Sequence, residues 1–110
     1  MKLNKLIHTL FLIVAMSFSF TAYAETVWID VRSAFEHSID NIEGDIRISH
    51  DDIVEEVTKL YPDKNTEIHL YCAAGVRAAK ALDALTNNGY TNISNAGGID
   101  DARKQRSLSK

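Results

Sequence analysis

The chain has 110 residues, a formal charge of −3, one Cys, one Pro and four His. That length suits one domain, and 45% apolar with 25% charged residues is globular composition rather than disorder. The sequence pI near 5.7 argues against a binder of phosphate backbones. A lone Cys excludes an internal disulfide framework, a CxxC pair and a multi-cysteine zinc site.

Lys2 and Lys5 precede an apolar run from Leu10 to Phe20, interrupted only by Ser17 and Ser19. Ala22-Tyr23-Ala24 then supplies a small-x-small site before Glu25. Together these describe a secretory signal peptide over residues 1–24, cleaved after Ala24. The run is shorter than the ~20 residues of a spanning helix; the rival reading is an uncleaved anchor. No Cys follows the cleavage site to carry a lipid. Cleavage leaves residues 25–110 as a single domain with ten basic and fifteen acidic side chains, a charge of −5. Its destination is the periplasm or the extracellular space, where disulfides are favoured. The unpartnered Cys72 is therefore a candidate for intermolecular pairing or a reactive thiol, against the plainer reading of a small buried hydrophobe.

Val27-Trp28-Ile29-Asp30-Val31 is β-branched and apolar, which predicts a buried strand. Ser33 to His37 predicts a short helical turn, and Ile46 to Ile48 a brief second strand. Ser49, three residues before Asp52, resembles a capping box with Asp in place of Glu. Ile53, Val54, Val57, Leu60 and Tyr61 follow helical spacing until Pro62 stops it. Glu67 to Tyr71 is a third strand running into Cys72. Val76 to Asn88 is a helix with Gly89 as its stop, and Tyr90 to Ser94 is the last strand. Beyond Asp100 the chain is polar, a frayed helix or a tail over 102–110. Strands alternating with helices imply a mostly parallel sheet covered on both faces, with ligands gathered at the strands' carboxyl ends. Cys72 stands at such an end.

Cys72-Ala73-Ala74-Gly75-Val76-Arg77 is the most informative segment. A thiol reacts as thiolate, and positive potential favours that form. The following helix presents free N–H groups to the loop. Gly75 permits a turn in which successive amides converge. Ala73 and Ala74 leave the mouth open, and Arg77 supplies a permanent cation, either for an oxyanion or to brace the loop.

The loop resembles the C-x-x-G-x-R motif of rhodanese-like sulfurtransferases. Three further segments agree in order: Asp30-Val31-Arg32 with Glu36 is similar to D-V-R-x-x-x-E, Asn41-Ile42-Glu43-Gly44 stands in the place of H-I-x-G, and Asn95-Ala96-Gly97-Gly98-Ile99 is similar to N-x-G-G-[IL]. The resemblance spans about residues 27 to 101 and is closest to small periplasmic single-domain rhodaneses. It departs at Asp40, Asn41 and Asp45, where Gly, His and Ala are usual, and at Asp100-Asp101-Ala102, where a Trp is often found.

The resemblance implies an α/β fold with a small, mostly parallel five-stranded sheet and helices on both faces. It implies a thiosulfate sulfurtransferase in which Cys72 is catalytic and residues 73 to 77 form the substrate-binding loop. Cys72 would take the outer sulfur of thiosulfate as a persulfide and pass it to cyanide or a thiol, with ping-pong kinetics. No cofactor, metal, nucleic acid or stable membrane association is implied, and the protein would be a monomer. Asp30, Arg32 and Glu36 read as ion-pair or turn support near the site. His37, His50 and His69 match no ligand spacing; Gly97 and Gly98 read as a tight turn, and the acidic residues 51–56 as a helix start. The rival readings are a persulfide carrier that does not turn over and, by the analogy of anion-cradling loops, a Cys-dependent phosphatase or arsenate reductase. Such phosphatases place five residues between Cys and Arg, where this chain has four. A degenerate structural domain fits poorly with intact Cys72, Gly75 and Arg77.

Overall fold

A computed structural model describes residues 25–110. The leader read from residues 1–24 lies outside the described residues. Strand β1 (Thr26–Asp30) leads through a Ser33-capped turn into α1 (Ala34–Ile39). β2 (Ile46–Arg47) follows, then a 3₁₀ turn (His50–Asp52) continuous with α2 (Ile53–Leu60). β3 (Glu67–Cys72), α3 (Val76–Asn87), β4 (Ile93–Gly98) and α4 (Ile99–Gln105) complete the chain.

The strands are all parallel, in the order β2-β1-β3-β4. The sheet described thus has four strands, not the five that the resemblance implies. Four segments of residues 25–110 pair as strands. The stretch before β2 is spent on a turn, with the Asp45 N–H donating to the Ile42 carbonyl at 3.1 Å.

Alternation along the strands sends Val27, Ile29, Val31, Ile68, Leu70 and Cys72 to one face, against Val57 of α2 and Ala78, Ala81 and Leu85 of α3. The other face carries Tyr71, Trp28 and Ala96, packed against Ile42 and against Ile99 and Ala102 of α4. Burying an aliphatic side chain stabilises by roughly 1.5–3 kcal/mol, so this two-sided burial fixes which residues stand at the strands' carboxyl ends. Ser49 caps the 3₁₀ turn through the Asp51 N–H rather than Asp52.

Two C-terminal expectations change. α3 stops with Gly89 N–H on the Thr86 carbonyl and Tyr90 N–H on the Leu85 carbonyl, the Schellman arrangement. That stop uses up Tyr90, so β4 begins at Ile93 and runs to Gly98, beyond the expected Ser94. Gly97 and Gly98 are strand residues, not a tight turn: Tyr71 pairs with Gly97 and Cys72 with Gly98, while Ala96 is the extra residue of a bulge after Asn95. Gly97 takes φ +94°, a conformation open to glycine. Of the two alternatives for the polar end, the helix holds up to Gln105, and it is packed rather than frayed, with Ile99, Ala102 and Arg103 of α4 buried.

Candidate active site

Cys72 ends β3 with 1% of its surface exposed. The chain then turns through Gly75 at φ +91° into α3, a backbone state that costs other residues roughly 1–2 kcal/mol. The turn brings the Gly75 N–H to 3.0 Å from the Cys72 Sγ. Burial pushes the thiol pKa up, but the backbone N–H groups of Ala78, Ala74, Gly75 and Arg77 outweigh it, and the net shift is downward. Those of Gly75, Arg77 and Ala78 are amides that a helix start leaves without intrahelical partners, and that of Ala74 comes from the loop before it. The Ala78 N–H belongs to this set, one residue beyond the Arg77 that closes the sequence motif. Ala73 and Ala74 are exposed, and Val76 is 66% exposed on the rim.

The floor under the loop is the end of β4. A methyl group added at Gly98 would sit 2.4 Å from the Ala73 carbonyl oxygen, and one at Gly75 would sit 3.3 Å from Gly97 Cα. The two backbones are in direct contact, which explains the need for glycine on both sides. Asn95 bridges them: its Nδ2 donates to the Gly75 carbonyl at 2.9 Å, and its Oδ1 accepts from Gly97 N–H at 2.8 Å. Nothing in the sequence short of the folded pairing of β3 with β4 points to these bonds. A shallow groove of about 660 Å³ opens beside the loop, lined by Ala74, Gly75, Val76, Lys80 and Asn95 among others, and Cys72 is not part of its wall.

Arg77 is held by Glu36 in a two-pronged pair, with Nη1 to Oε1 at 2.6 Å and Nη2 to Oε2 at 2.9 Å. Glu36 also completes the capping box of α1 with Ser33. The Arg77 hydrogen bond dominates in lowering the Glu36 pKa to about 2, with smaller help from Ser33. The Arg77 guanidinium is in turn held more firmly protonated by Glu36 and by its proximity to Cys72.

Asp30 and Arg32 form a fully buried ion pair, with Arg32 Nη2 at 2.8 Å and Nε at 3.0 Å from the carboxylate. His37 Nδ1 joins at 2.9 Å, and Arg32 also donates to the Asp40 carbonyl. Burial raises the Asp30 pKa, and the hydrogen bonds from Arg32 and His37 more than reverse it. Among the described residues no hydrogen bond or ion pair ties Asp30 or Arg32 to residues 72–77. This network fastens β1 to α1, the helix whose Glu36 holds Arg77. His50 lies beside Asp51, and His69 stacks on Trp28 at 4.4 Å with Nδ1 on Ser94 Oγ. Both are occupied away from the thiol.

The residues that depart from the sulfurtransferase motifs meet at α4. Arg103 pairs with Asp40 at 2.6 Å and Asp100 at 3.0 Å and donates to the Asn41 carbonyl. Arg106 pairs with Asp45 at 2.6 Å, lies over the Trp28 ring, and shares Asp45 with the Tyr71 hydroxyl at 2.7 Å. Asp101 takes the Gly98 N–H at 2.8 Å, bracing the glycine on which the loop rests. Asp40 and Asp45 are thus partners of the arginines in α4 and at its C-cap.

A rhodanese-like domain model matches residues 21–105 of the chain. The chain is 36% identical over 90 residues to "Thiosulfate sulfurtransferase PspE" of Escherichia coli strain K12, covering 82% of this chain and 86% of that protein. It is also 31% identical over 88 residues to the tRNA uridine(34) hydroxylase of Yersinia enterocolitica, covering 74% of this chain but 25% of that longer protein. Among solved structures, "rhodanese with anions from E. coli" superposes with a TM-score of 0.66 at 35% identity, over 70% of this chain and 91% of that one. Taken with the parallel sheet and the Cys72 loop on it, these matches show that the chain belongs to the rhodanese-like family.

Proposed function

We propose that this sulfurtransferase-family chain is a thiosulfate sulfurtransferase that works through a persulfide on Cys72. The observation that carries the reading is the set of backbone N–H groups around the Cys72 sulfur, with Gly75 N–H at 3.0 Å. Cys72 thiolate attacks the outer sulfur of thiosulfate. A new S–S bond forms, the donor's own S–S bond breaks, and its electron pair leaves with sulfite. Cyanide or a thiolate then attacks the terminal sulfur, and the Cys72–sulfur bond breaks to return the thiolate. The two half-reactions balance without an oxidant, reductant or general base. The loop amides stabilise the negative sulfur in both states, and Arg77, held by Glu36, faces the sulfonate end of the donor. The thiolate and the thiosulfate dianion repel one another, and these fixed dipoles offset that repulsion where water is thin.

The mature protein in this reading is one exported domain over residues 25–110, monomeric, acting on small sulfur compounds in the periplasm or outside the cell. Purified protein should convert thiosulfate and cyanide to thiocyanate and sulfite over many cycles, and Cys72→Ser should make none. Thiocyanate production by Cys72→Ser would refute the mechanism. A stall after one equivalent would establish a carrier instead of an enzyme.

A further inference from the structure

We infer that Asn95 is a positioning residue for the Cys72 sulfur: its side-chain amide fastens the Gly75 carbonyl to the β4 bulge and thereby holds the Gly75 N–H on Sγ. The inference rests on the reading of Cys72 as the reacting thiol. Its geometry is a single relay. Gly97 N–H donates to Asn95 Oδ1 at 2.8 Å, Asn95 Nδ2 donates to the Gly75 carbonyl at 2.9 Å, and Gly75 N–H donates to Cys72 Sγ at 3.0 Å. Both ends of the amide are used, so its orientation is fixed by its partners.

Three observations make Asn95 more than a surface contact. Gly75 is the residue with φ +91° that turns the loop; its carbonyl lies in the 75–76 peptide plane, and pinning that plane anchors one side of the turn whose other side carries the Gly75 N–H. The same carbonyl accepts from Ala79 N–H at 3.0 Å, the first bond of α3, so Asn95 also sets where the helix start points its free amides. Gly97, the other partner, is the residue just after the bulge, and its backbone touches Gly75. The β4 bulge, the loop and the sulfur are therefore joined by one side chain.

Asn95 itself is exposed, so water competes for its bonds and the effect is bounded. Asn95→Ala should lower thiosulfate-to-cyanide kcat/KM by about three- to tenfold. It should also raise the pH midpoint of Cys72 alkylation by iodoacetamide, by at most about one unit. Arg77, the cation that acts on the sulfur, and its partner Glu36 are untouched by the substitution. Asn95→Asp keeps an acceptor for Gly97 N–H but sets an oxygen against the Gly75 carbonyl. It should therefore shift the alkylation midpoint at least as far as Asn95→Ala does. A wild-type midpoint in both variants, whatever their melting temperatures, would overturn the inference, as would wild-type behaviour of Asn95→Asp. If the wild-type protein takes no sulfur from thiosulfate, the proposed function fails, yet the alkylation midpoints still decide the role of Asn95.

Discussion

Gly98→Ala isolates the contact between loop and sheet. Gly98 has φ −87°, which alanine adopts without strain, so the substitution adds a methyl group and nothing else. That methyl would lie 2.4 Å from the Ala73 carbonyl oxygen and 3.2 Å from its carbon. Carbon–oxygen contacts settle at about 3.3 Å or more, so the Ala73 peptide must retreat by roughly 1 Å. Overpacking of this kind destabilises by about 1–3 kcal/mol. Ala73 is the residue after Cys72, and a misplacement of about 1 Å at a reacting group lowers rate by about 100-fold. Urea unfolding and thiosulfate-to-cyanide turnover measure the two effects separately. A variant with the wild-type unfolding midpoint and wild-type turnover would show that the loop does not rest on β4 as described.

The Glu36–Arg77 pair has a pH signature. A carboxyl depressed from 4.5 to about 2 contributes stability above its unfolded value, and that contribution is lost as pH falls towards 2. Glu36→Gln should therefore be less stable than wild type at pH 7, with the gap closing between pH 4.5 and 2 in urea unfolding; a constant gap would contradict the assignment. Asp45→Ala leaves the buried Tyr71 hydroxyl without its acceptor and Arg106 without its partner, costing about 2–3 kcal/mol by denaturation. Asp45→Asn should recover part of that loss. Arg77→Ala should raise the KM for thiosulfate about tenfold, whereas His69→Ala, whose ring lies on Trp28, should leave it within about twofold. Equal losses would remove Arg77 from the donor site.

Much of this architecture is visible in the residues themselves. β1 and β3 are marked by β-branched runs, α2 by helical spacing ended at Pro62, and α3 by its small apolar stripe and Gly89. The Cys72 loop is legible because its chemistry is local: thiol, glycine and arginine lie within six residues. What stays hidden depends on partners far along the chain. Asn95-Ala96-Gly97-Gly98 looks like a turn by composition, yet it is held extended by pairing with β3. α4 looks like a solvated tail because Arg103 and Arg106 find their carboxylates at Asp40 and Asp45, some sixty residues away. Asp40 and Asp45 in isolation look like lapses from a motif; with α4 in place they are its anchors. The bonds from Asn95 and the Ala78 N–H exist only once the sheet and α3 set the loop.

Intact mass spectrometry of the reduced mature protein tests directly whether Cys72 carries the transferred sulfur. After thiosulfate, the mass should rise by one sulfur atom and return on adding cyanide, with thiocyanate released in equal amount. Cys72→Ser should show no gain. An unchanged wild-type mass, or the same gain in Cys72→Ser, would contradict the account.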